Sequence, residues 1–84
     1  MSQPAVGIST WVSIGMERLP ALVLRKTSEG LEVAYVQGGY KVIADEVRWD
    51  GSQWVFANPG PSGRQLHGAE AVRVRSGPPT DSGS

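Results

Sequence analysis

The stretch V-R-W-D-G-S-Q-W-V-F, residues 47–56, decides how the chain folds. Two arms of apolar and aromatic residues flank Gly51 and Ser52, which suit a two-residue hairpin loop. Glycine at the first loop position supplies the positive φ of a type II′ turn, and that turn matches the twist of the strands it joins. Asp50 then faces Gln53, Trp49 faces Trp54, Arg48 faces Val55 and Val47 faces Phe56. Side chains alternate along strands, so Val47, Trp49, Trp54 and Phe56 share one face. A competing register places Asp50 and Gly51 in a type I′ turn, also a favoured pair. It sets Trp49 against Ser52 and Val47 against Trp54. A direct Trp–Trp pair contributes about 0.5–1 kcal/mol over that alternative, so the Gly-Ser register is expected.

Toward the N-terminus, the pattern slips. Val42 and Ala44 are in phase with each other, while Val47 and Trp49 have the opposite phase. A regular strand would turn one set into water, so a bulge or bend is expected at Ala44, Asp45 and Glu46, where two adjacent acids are easily solvated. Gly38 and Gly39 form a permissive hairpin turn that pairs Tyr35 with Val42 and Val33 with Ala44. Residues 31–36 form a strand with Leu31, Val33 and Tyr35 on one face. Thr27-Ser28-Glu29-Gly30 is a turn in which Gly30 is free to adopt the left-handed conformation. Residues 21–26 form another strand, with Leu22 and Leu24 on one face and Val23 and Arg25 on the other. Residues 11–14 suit a short strand, Val12 and Ile14 on one side and Trp11 on the other. Residues 16–19 are too few for a stable helix, and Pro20 discourages its continuation.

Toward the C-terminus, residues 58–63 carry two Pro and two Gly and read as a loop. His67-Gly68-Ala69-Glu70 suits one 3₁₀ turn. Residues 71–75 read as the last strand, with Val72 and Val74 inward and Arg73 and Arg75 outward. Three successive hairpins followed by this strand describe an all-β chain: a five-stranded antiparallel barrel, built from a four-strand meander plus a C-terminal strand. The expected organisation is a loosely ordered N-terminus over 1–10, one barrel domain over 11–76, and a disordered tail over 77–84 without an apolar anchor.

Composition narrows the function classes. Eighty-four residues allow one domain with a small core. There is no cysteine, which excludes disulfides and thiolate metal sites. Lys plus Arg and Asp plus Glu balance at 8 each, so a strongly basic nucleic-acid footprint is missing. The apolar runs at 21–24 and 54–57 fall far short of the roughly 20 residues of a membrane span. No secretory signal is visible at the start, and the expectation is a soluble cytoplasmic protein with no membrane partner.

The strand order, with a short turn before the final strand, resembles the SH3-like barrel group, which includes Tudor, chromo-barrel and KOW-type modules. A-L-V-L-R-K, L-E-V-A-Y-V and Y-K-V-I-A-D-E-V-R-W look most like the opening strands of a Tudor-type barrel. The resemblance covers about residues 19–75 and is one of topology and pattern. It implies an SH3-like barrel acting as an interaction module, and function does not follow from so widely used a scaffold. A second likeness is to plasmid-borne type II dihydrofolate reductases, whose pore carries a Val-Gln-x-Tyr segment. Val36-Gln37-Gly38-Gly39-Tyr40 is similar, but with an extra residue and two glycines it reads as a hairpin turn, where Gln37 and Tyr40 would not stack on a cofactor.

No catalytic constellation stands out. His67 is the lone histidine, no G-x-S-x-G surrounds any serine, and the acids are scattered. The chain is therefore expected to be non-enzymatic, with no cofactor and no metal. Binding residues are better represented. Tudor-type barrels hold methylated Lys or Arg with rim aromatics by cation–π attraction. Tyr40 beside the Gly-Gly turn, and Trp49 and Trp54 near the Gly-Ser turn, suit such a rim, and the same Trp side chains equally suit the barrel core. A protein or peptide partner is the first expectation. Nucleic acid is the alternative, through Arg73 and Arg75, two apart on one strand face, with exposed Trp side chains beside them. Oligomeric state is not legible.

Overall fold

The computed structural model describes residues 5–58 and 63–78. Its elements are β1 (Trp11–Ile14), β2 (Leu19–Lys26), β3 (Leu31–Gln37), β4 (Lys41–Trp49), β5 (Trp54–Phe56), β6 (Arg64–Gln65) and α1 (Gly68–Arg75). The first five strands close a small barrel, consistent at the level of fold with an SH3-like barrel, and β6 is an extra strand. Expectations for residues 1–4, for 59–62 of the Gly/Pro loop and for 79–84 of the tail lie outside the described residues. Ahead of β1, the Ser9 N–H donates to the Val23 carbonyl (2.8 Å) and the Val23 N–H to that of Thr10 (2.8 Å).

The β4–β5 hairpin has the expected register: Val47 faces Phe56, Arg48 faces Val55 and Trp49 faces Trp54. Gly51 takes the positive φ (108°) that its place in the turn requires. The β2–β3 hairpin forms at the expected turn, with its register shifted by a bulge between Val23 and Arg25; β1 also pairs antiparallel with β2, a pairing the sequence reading does not contain. Pro20 enters β2 opposite Ser13 of β1 and precedes the β2–β3 pairing, so its missing N–H interrupts no ladder.

Several expectations fail, among them the 3₁₀ turn at residues 67–70, whose last three residues open α1. First, the turn between β3 and β4 holds three residues, not two: Gln37 faces Lys41, Tyr35 faces Ile43 and Ala34 faces Ala44. Pairing moves by one residue, so Tyr35 and Val33 point opposite to Val42 and Ala44. Secondly, β4 has no bulge, because its register against β3 is unbroken from Lys41 to Val47. The phase slip is resolved by burying both faces of the sheet. Leu31, Val33, Val47 and Trp54 fill the barrel interior. Leu22, Ala34, Val42 and Ala44 form a second apolar cluster with Leu66, Ala71 and Val74. Asp45 is buried, not set in a solvated bend.

The third correction follows from the second. Residues 71–75 are not a strand but part of α1, which covers the outer cluster. Ala71 and Val74, three apart on one helical face, are buried, while Val72 is 58% exposed. Glu70 in the first turn and Arg73 and Arg75 in the last complement the helix dipole. The helix stops at Gly77 (φ 79°), whose N–H donates to the Val74 carbonyl (3.1 Å), and Pro78 has no N–H to continue it. Fourthly, the fifth barrel strand is β1, not the C-terminal segment. It meets β5 in parallel at a single pair, Ile14 with Trp54, so the barrel is mixed and not wholly antiparallel.

Gly30 is not left-handed. A Cβ there would lie 2.0 Å from the Val47 carbonyl oxygen, so glycine serves a close backbone approach. Gly30→Ala should therefore destabilise the chain by about 2 kcal/mol or more in urea unfolding. The helix makes a sharper contrast. Val74→Ala should cost about 1.5–3 kcal/mol, and Val72→Ala within about 0.5 kcal/mol. Equal costs at the two valines would contradict the helical face.

Candidate binding groove at the barrel seam

The barrel closes least completely between β1 and β5. Beyond the Ile14–Trp54 pair, the Gly15 N–H donates to the Trp54 carbonyl (2.7 Å). The chain then leaves β5 in a tight turn over residues 15–18. Gly15 (φ 70°) and Arg18 (φ 56°) are both left-handed, and at Arg18, a non-glycine residue, this costs roughly 1–2 kcal/mol. The turn holds Met16 out at 89% exposure.

Two hollows flank this turn. One, of about 460 Å³, lies between Met16, Arg18, Gln53, Trp49 and Trp54. The other, of about 200 Å³, is lined chiefly by apolar groups of Ile14, Met16, Leu19, Val55 and Phe56. Trp54 is buried in the barrel interior, and half-buried Trp49 packs against it edge to face, ring centroids 5.4 Å apart. The Trp49 Nε1–H is buried and meets no acceptor among the described residues, which costs about 1–3 kcal/mol while the bond stays unmade. Phe56, half out of the barrel, rests on Tyr35 at 5.3 Å. Burial pushes the Tyr35 hydroxyl pKa up, and the negative Asp45 adds to the rise.

The other candidate residues do not join this groove. Tyr40 is 65% exposed at the β3–β4 turn, the far end of β4 from Trp49. They are nine positions apart, roughly 30 Å of extended chain. Arg73 and Arg75 are exposed on α1, not on a strand. Two helical positions differ by about 200°, so the pair does not share a face. A further cleft, of about 550 Å³, is lined by charges of both signs, among them Arg25, Lys26, Glu32, Glu46 and Arg64. Arg25 (2.9 Å) and Arg64 (3.8 Å) both meet Glu32, whose carboxylate partly offsets their charge. Glu46 accepts the Thr27 hydroxyl hydrogen (2.7 Å), and Thr27 Oγ1 accepts the Gly30 N–H (3.0 Å), tying β4 to the β2–β3 turn. His67 is exposed at the N-terminal boundary of α1, and among the described residues no group of acids or histidines could hold a metal ion. Nor is any helix among them long and apolar enough to cross a membrane.

Sequence reasoning missed Met16, Leu19 and Val55 as groove residues. The available signal was an apolar Met in a short turn between Gly15 and two charged residues, where nothing local could bury it. No family model matches the chain, and neither does any curated protein or solved structure.

Beside the groove, the Asp50 carboxylate staples the hairpin. One oxygen accepts the N–H of Ser52 (2.8 Å) and of Gln53 (2.8 Å), while the Asp50 N–H donates to the Gln53 carbonyl (3.0 Å). The Ser52 and Gln53 N–H groups hold the Asp50 pKa below its ordinary value of 3.8. A lowered folded value contributes stability that is complete above pH 3.8 and is lost as pH falls through the folded pKa. Melting curves across this acid range should therefore show a smaller loss for Asp50→Ala than for the parent chain; superimposable pH profiles would exclude the staple.

Proposed function

We propose that the chain is a small non-enzymatic interaction module that binds a protein or peptide partner at the β1–β5 seam. The reading rests on one observation above others: a buried indole N–H of Trp49 that meets no acceptor among the described residues, beside a Met held 89% exposed. A buried donor without a partner is uncommon in a folded chain, and an entering carbonyl relieves it. An exposed Met on a tight turn is an adaptable apolar contact. Protein partners supply both, a main-chain carbonyl and apolar side chains.

Kinship of use with Tudor and KOW-type modules is part of this proposal only as a small barrel that presents a binding rim. A cage for methylated lysine has less support, because Trp54 is buried in the barrel interior with Trp49 set edge to face against it, and Tyr40 lies at the other end of β4. Nucleic acid also has less support. Its expected Arg stripe is divided around α1, and Arg25 and Arg64 are engaged by Glu32.

Peptides selected from a random display library on the immobilised full chain provide the test. Binding should fall about 10-fold or more in Met16→Asp, and about 3–10-fold in Trp49→Phe, which removes the N–H and keeps a ring. Tyr40→Ala should leave it unchanged. In parallel, single- and double-stranded oligonucleotides should not quench tryptophan fluorescence at low salt. Saturable quenching that weakens steeply with salt would replace this reading with a nucleic-acid surface.

A further inference from the structure

We propose that the partner adds a short strand to the free edge of β5 at Phe56, seating one apolar side chain in the hollow beside it. This inference rests on the protein-partner reading of the seam and specifies how that partner is held.

The Asp50 N–H donates to the Gln53 carbonyl (3.0 Å), and the Ala57 N–H donates to the Glu46 carbonyl (2.9 Å). Inward bonding alternates along an antiparallel pair. Arg48 and Val55 therefore bond inward, while Trp54 and Phe56 turn their main-chain N–H and C=O groups away from β4. The Trp54 carbonyl finds its partner in the Gly15 N–H (2.7 Å). One pleat further on, β1 has already left, and no described residue supplies the N–H or C=O of Phe56 with a partner.

Beside Phe56, on the side where a continuing neighbour strand would lie, the described residues leave a hollow. It is the one of about 200 Å³ lined by Ile14, Met16, Leu19, Val55 and Phe56. A free donor and acceptor on one residue recognise extended main chain, and the pocket beside them selects the side chain that it carries. Glu17 stands on the rim without an ion pair among the described residues. The fitting occupant is thus an extended segment with an aliphatic or aromatic residue and a Lys or Arg close to it. The tight turn at 15–18 also explains why the edge stays open in the free chain: it carries β1 away before a second pair can form.

The experiment uses the peptides selected on the full chain, resynthesised with single N-methyl groups along their length. Strand addition predicts that methylation at alternate positions weakens binding about 10-fold while the positions between tolerate it. The Phe56 amide should shift, and its hydrogen exchange should slow, when the peptide binds to ¹⁵N-labelled chain. Met16→Asp lies outside the barrel core and keeps the fold intact; Met16 borders both hollows, so its loss of binding reads the seam as a whole, and the Phe56 amide response assigns the occupant to the smaller hollow. Uniform tolerance of N-methylation, with shifts confined to Trp49 and Gln53, would overturn strand addition and leave the protein-partner reading standing. Failure to select any binding peptide would overturn both. A Phe56 amide already protected from exchange in the free chain would show that a segment of this chain covers the edge, and would also overturn the proposal.

Discussion

Val42 and Ala44 face one way along β4, Val47 faces the other, and both sides are dry. Most of the architecture follows from that double burial. The interior of a five-strand barrel is too small to absorb all the apolar side chains of β2, β3 and β4. The second set needs a cover of its own, which α1 and Leu66 provide. The cover must lie close. A Cβ on Gly63 would come within 2.4 Å of Ile43 Cγ2 and 2.7 Å of the Ala44 carbonyl, so the returning chain crosses β4 at a distance that only glycine permits. Then β6 pairs with Ile43 and Ala44, on the edge of β4 away from β3. The same edge serves β5 further along, and β4 thereby links the barrel to its outer layer.

The hairpin at 50–53 was legible because independent signals agreed. Gly51 suits a tight turn in either candidate register, and the cross-strand Trp pair agrees with only one of them. The Gly-Gly turn carried no such agreement. Gly38 and Gly39 both take positive φ, but two permissive residues fit loops of two or three residues equally well. The longer loop displaced the pairing by one and reversed every side chain relative to its partner. The bulge expected at Ala44, Asp45 and Glu46 had a separate source: it assumed one dry face along β4, and both faces are buried. The runs A-L-V-L and V-A-Y-V held the correct answer, since strands covered on both faces read as continuous apolar stretches, not as alternation.

V-R-V-R misled in the same way. Its alternation and β-branched residues suit a strand, and a strand was the expectation. Capping chemistry pointed elsewhere: Glu70 ahead, Arg73 and Arg75 at the end, then Gly77 and Pro78. Tertiary demand decided, because Ala71 and Val74 are spaced to meet a sheet face as a helix. In the groove, the Trp49–Trp54 contact was readable from pairing alone. Met16 was not, since its role depends on where β1 departs from β5. The sequence shows neither that departure nor the distance that separates Tyr40 from the Trp pair.

The seam has a consequence for how the chain reaches this structure. Each hairpin joins neighbours in sequence, whereas Ile14 and Trp54 are the most widely separated strand partners in the fold. Closing that contact carries the largest loop entropy of any pairing and returns one bridge. The meander can therefore assemble from its local turns, with the N-terminal strand as the least rewarded addition to the ladder. What holds β1 is chiefly its register on β2 and the seating of Ile14 in the interior, so the wall of the barrel is cooperative on one side and merely adjacent on the other.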